Sequence, residues 1–142
     1  MPSMRSKRFL VFVTMLALAG GGCARVSETA RVVWGSSTRA LEEARADAIS
    51  KTYQCSYEDC YKEALKIVKL EKLEVFIADR VKGHMVVMGI KGAVNTTEVG
   101  IFFSPVDENK LKVEITSLST NAKKKMAAIL FPRLAAVYAE VQ

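Results

Sequence analysis

The chain has 142 residues, half of them hydrophobic and a quarter charged, with three cysteines, one histidine and one tryptophan. That leaves room for one modest domain and excludes a multidomain enzyme, while three prolines, eight glycines and no recurring period exclude collagenous, low-complexity and repeat architectures. The formal charge is +6, but Arg5, Lys7 and Arg8 precede an apolar run with no acid among residues 1–22; without them 18 basic residues face 15 acidic ones, a net +3. A nucleic-acid partner thereby loses most of its electrostatic support.

The basic residues introduce an apolar run from Phe9 to Ala19, broken only by Thr14. As a helix it rises about 16 Å, roughly half a bilayer core, so it reads as the h-region of a signal peptide rather than a span. The following Ala19-Gly20-Gly21-Gly22-Cys23-Ala24 resembles a bacterial lipoprotein signal, in which small residues precede a cysteine that is acylated and becomes the mature N-terminus. Gly20 departs from the leucine usual at its position. The alternative is an ordinary secretory cut after Ala17-Leu18-Ala19, leaving Cys23 as a free thiol. If Cys23 is acylated, each buried methylene contributes about 0.8 kcal/mol, and several chains anchor the protein without a membrane-spanning helix. Ala24 in place of aspartate is similar to the outer-membrane sorting class of Gram-negative lipoproteins.

Residues 23–48 read as a lipidated N-terminus and helical connector. Its better helix runs from about Thr38 to Ala48, with Arg39 placed to pair with Glu42 and Glu43. Trp34 either sits at the lipid headgroups or packs against the domain. Ile49 to Ser56 alternates as a first strand. Ser56-Tyr57-Glu58-Asp59 resembles a capping box, and the helix it opens carries Cys60, Ala64, Ile67 and Val68 on one face and Lys66, Lys69 and Lys72 near its end.

Four strand-like segments follow: Leu73 to Asp79, Met85 to Ile90, Thr96 to Phe103 and Lys110 to Leu118. Val81 to His84 and Pro105 to Asn109 read as turns. A last helix starts at Ser119 or Thr120, with Pro132 expected to kink or divide it. The fold class is α+β: a two-layer domain over residues 49–142, with a five-stranded antiparallel sheet, helices on one face and the order β-α-β-β-β-β-α.

Cys55 and Cys60 fall on either side of the strand-to-helix turn, where two Cα atoms can approach within the roughly 4.4–6.8 Å that a bridge needs. They are either a disulfide, which an exported compartment permits, or buried thiols acting as small hydrophobes. Two sulfurs and one distant histidine do not make a metal site. His84, placed in a turn, has no nucleophile or acid partner, and no hydrolase, P-loop or dinucleotide motif occurs, so the reading is non-enzymatic and without a cofactor. Lys123-Lys124-Lys125 opens the last helix, where cations oppose the macrodipole; it is either a contact for anionic headgroups or an acidic partner, or a solvated helix start.

The segments Trp34 to Leu41, Thr96 to Phe103 and Val113 to Ser119 resemble small Gram-negative lipoproteins known only as a domain of unknown function. That resemblance implies an envelope lipoprotein with no assigned catalytic residue, and only Cys23 carries over. The topology is also similar to helix-on-sheet modules of lipoproteins that assist outer-membrane protein assembly, a likeness of fold alone. The expected function is a lipid-anchored, periplasm-facing module that binds an envelope partner through a sheet face or edge strand. The alternative is a carrier of a small apolar ligand, with Phe103, Met126 and Tyr138 lining the cavity.

Overall fold

A computed structural model describes residues 38–142, so the expected signal peptide over 1–22, Cys23 and Trp34 lie outside the described residues. Residues 38–43 are α-helical and continue as a 3-10 turn over Ala44–Asp47, and Arg39 pairs with Glu43 across one turn. Strand β1 (Ile49–Gln54) leads into helix α1 (Tyr57–Leu70). Four strands follow: β2 (Glu74–Asp79), β3 (His84–Met88), β4 (Val99–Asp107) and β5 (Lys110–Thr116). Helix α2 (Thr120–Ala135) and a two-residue strand β6 (Glu140–Val141) complete the chain. The protein is α+β with one open antiparallel sheet in the order β2-β3-β4-β5-β1-β6.

Ser56 starts α1 as its sequence indicates: the hydroxyl accepts a bond from the Asp59 N–H at 3.2 Å, and Glu58 and Asp59 occupy the positive end of the helix. Cys60, Ala64, Ile67 and Val68, at helical spacing, are buried together with Tyr61. Because β1 lies beside β5 while β2 is the far edge, α1 has to cross the sheet to connect them. Its apolar face therefore meets the inward residues of the central strands. Ile101 opposes Ile115 and Phe103 opposes Val113, while Tyr53 of β1 opposes Leu111. All six belong to the main core, with Met126, Leu130 and Leu134 of α2.

The chain departs from its sequence-based expectations in five places. His84 opens β3 and is only 4% exposed, not solvated in a turn, because it pairs with Asp79 on one side and Phe102 on the other. Strand β4 continues through Pro105 to Asp107, where a register shift accommodates a residue that has no N–H to give to the ladder. Helix α2 is not divided at Pro132; that residue and Ala128, whose carbonyl loses its partner, lie on the exposed side where water can replace the bond. The sheet has six strands rather than five, the addition being β6, paired with Thr52 and Tyr53.

The fifth departure concerns the layers. Residues alternate along each strand, so Val86 and Phe102 point to the face opposite α1 and α2. There they form a second, smaller core with Leu41, backed by Phe76 and Ile77. Leu41 is 2% exposed, and the compact unit starts at Thr38 rather than Ile49. Residues 38–47 thus pack on the second face as part of the compact unit, so the helices do not all lie on one side.

Candidate functional site

Gly100 of β4 makes the approach of residues 38–47 to the second face feasible, since a Cβ there would sit 2.7 Å from Thr116 Oγ1 and 3.4 Å from Leu41 Cβ. One helical turn beyond Leu41, Arg45 reaches the same face. Its guanidinium bonds the Glu114 carboxylate and the Ser104 hydroxyl, the latter at 3.0 Å, and lies over the Phe102 ring at 4.8 Å. Ser104 donates to Glu114 at 3.2 Å, and the Lys112 ammonium stands 3.1 Å from the other carboxylate oxygen. His84 stacks against the same Phe102 ring, with centroids 5.7 Å apart.

Glu114 is nearly enclosed. Burial alone pushes its carboxyl pKa up, but bonds from Arg45 and Lys112 outweigh burial and hold it below the ordinary glutamate value. The carboxylate is therefore ionised and held by three donors, an arrangement that fixes the N-terminal helical turn to β4 and β5. Both oxygens of Glu114 have partners, and Ser104 gives its proton to that same carboxylate. Thr116 Oγ1, also on this face, is buried without a hydrogen-bond partner, as is the Tyr61 hydroxyl in the main core.

The other sequence-derived residues are dispersed. Cys55 and Cys60 are joined by a disulfide across the β1–α1 turn, with Cα atoms 6.0 Å apart. Phe103 and Met126 are packed within the core, and Tyr138 is half-buried against it. Lys123 donates to the Asp47 carbonyl and Lys125 to the Lys91 carbonyl, whereas Lys124 is exposed. Gly92 has φ +78°, and its missing side chain leaves the space through which the Lys125 ammonium reaches Lys91. A surface depression of about 340 Å³ lies along the outer face of α1, between Lys62, Leu65, Lys66, Lys69 and Leu70.

Among the described residues no three His, Cys, Asp or Glu side chains are grouped to hold a metal ion, and no helix is long and apolar enough to cross a membrane. The network of Arg45, Ser104 and Glu114 was not anticipated from the sequence. Glu114 is one acid on an alternating strand, and its partners depend on pairings across 10 and 69 residues, beyond any local pattern. No protein-family model matches the chain, and no curated protein matches it either.

Proposed function

We propose that this chain is an exported lipoprotein, acylated at Cys23 and held on the periplasm-facing leaflet of the outer membrane, whose folded part is a non-enzymatic binding or structural module. The Cys55–Cys60 disulfide carries the reading, because disulfides persist in oxidising compartments outside the cytoplasm. The basic n-region, the short apolar run and the small residues before Cys23 supply the route of export, and Ala24 supports sorting to the outer membrane. The likeness of Trp34 to Leu41, Thr96 to Phe103 and Val113 to Ser119 to small envelope lipoproteins agrees with it.

In this reading the five longer strands with α1 and α2 are the module's structural core, and β6 is an addition at its edge. Among the described residues strand β2 is the other edge of the sheet, paired with β3. An edge strand is an element through which such a module binds an extended segment of an envelope protein. The mature charge of +3 and an exported location leave nucleic acid out of the partner set.

Labelling with palmitate in a Gram-negative host, followed by crosslinking and recovery from membranes, tests the proposal. The native chain should take up label and fractionate with the outer membrane, and Cys23→Ser should do neither. Recovery of the same crosslinked partners from both forms would show that anchoring is dispensable for association.

A further inference from the structure

Two connections meet at the end of the sheet where α2 begins. The 89–98 loop is tied to the β5–α2 connection and the first turns of α2 by three bonds: Ser117 Oγ to the Glu98 carbonyl at 2.8 Å, Asn121 Nδ2 to the Gly92 carbonyl at 3.1 Å, and Lys125 Nζ to the Lys91 carbonyl. Inside the loop, the Thr97 N–H bonds the Val94 carbonyl, and Ala93 packs on the core. This end is therefore held in place, yet two aliphatic side chains project from it: Val94 is 71% and Leu118 80% exposed. An ordered surface that presents bare aliphatic groups loses the burial they offer unless an apolar phase receives them.

The same loop and the first turns of α2 carry four lysines. Lys91 and Lys124 are exposed, while Lys123 and Lys125 donate to the Asp47 and Lys91 carbonyls. Four lysines are placed at this end, against acids that include Asp47, Glu98 and Glu74, the last opposite Met88 where the loop begins. Lysines at the start of α2 oppose the helix dipole, which an anionic surface would relieve.

We propose that this end of the domain rests on an anionic phospholipid leaflet, with Val94 and Leu118 entering the interface and Lys91 and Lys124 meeting headgroup phosphates. The proposal rests on the membrane-anchored reading and adds the face that meets the lipid. Residues 24–37, between the acylated position and the domain, span at most about 50 Å when extended, so the domain cannot leave the leaflet's vicinity. Tethering of this kind keeps the surface at a local concentration on the order of millimolar, at which even a weak contact is populated.

Fluorescence quenching by brominated lipid tests the contact. The full chain in a Trp34→Phe background receives a single reporter, either Leu118→Trp or Val106→Trp, the latter on the β4–β5 hairpin at the opposite end of the sheet. Vesicles are phosphatidylcholine with or without phosphatidylglycerol. Quenching at position 118 should exceed that at 106, appear only with phosphatidylglycerol and weaken with salt. Adding Lys91→Gln and Lys124→Gln should weaken the interaction roughly tenfold or more. Equal quenching at the two positions, quenching indifferent to anionic lipid, or none at 118 would each overturn the proposal, the last leaving the face to an acidic protein. Co-flotation with pure phosphatidylcholine vesicles separately reads the anchor. A protein that floats but shows no quenching at 118 contradicts the docking face alone, and one that fails to float contradicts the anchored reading.

Discussion

Arg45 and Glu114, 69 residues apart, form an ion pair on the sheet face opposite α1 and α2, with Ser104 and Lys112 completing the shell of donors around the carboxylate. This pair fixes the residues that enter the domain to its central strands. Its chemistry is that of a fastener: an ionised acid with each oxygen engaged.

Removing Arg45 leaves a largely buried carboxylate with Lys112 and Ser104 only. Arg45→Ala should destabilise the protein by about 1–3 kcal/mol, the lower end applying because the guanidinium is partly solvated. The pH dependence has a definite sign. The unfolded chain takes up a proton at Glu114 before the folded one does, so the stabilisation is complete above the ordinary glutamate value, about 4.3, and declines as pH falls through the lower folded value. Urea unfolding measured against pH should show a shallower acid limb for Glu114→Gln than for the native chain.

Leu41 is the one apolar side chain that residues 38–47 bury on the second face, where it meets Val86 and Phe102. Leu41→Ala should cost about 2–3 kcal/mol, near the low end for buried leucines because the cluster is small and can collapse. Thermal unfolding checks this. A change within 0.5 kcal/mol, the scatter of surface substitutions, would mean that this segment is a connector after all.

Much of the main core was legible from local pattern. Ser56 and Ser119 begin α1 and α2, and Leu111, Val113 and Ile115 face the core as their alternation indicates. Each of these signals is contained within a few residues. The second face was not legible for the opposite reason: residues 38–47 bury a single leucine, which has no period, and Arg45 resembles any solvated helix cation until its partners across the sheet are known. Local composition also misled at Pro105 and His84, where turn-forming neighbours were overridden by pairing with β5 and with β2 and β4. Strand β6 consists of two residues held by a neighbour distant in sequence, and nothing in Glu140-Val141 announces it.

Thr116 offers a gain rather than a loss. Its hydroxyl is buried on the second face with no partner, a state that carries the cost of lost hydration. Thr116→Val keeps the shape and removes the polar atom, so the melting midpoint should rise, with a gain of about 1 kcal/mol. By contrast, Gly100→Ala directs a methyl against Thr116 Oγ1 at 2.7 Å and a Phe102 ring carbon at 2.8 Å and should lose about 1–3 kcal/mol.

The disulfide closes a short loop, its cysteines being five positions apart, so its stabilising effect is at the low end of the usual range. Reduction should cost about 2 kcal/mol through the larger freedom of the unfolded chain. Denaturant melts with and without a thiol reductant measure it. Two thiols titrating beyond any contributed by Cys23 in unreduced, unfolded protein would exclude the bridge.

Acylation at Cys23 is the claim on which location, anchoring and the lipid-facing end all depend. Intact-mass analysis of protein purified from membranes of its native host addresses it directly. The account predicts a chain that begins at Cys23, heavier than its amino acids by a diacylglycerol group and a further acyl chain. A mass matching an unmodified Cys23, or a chain that still carries residues 1–22, would contradict it.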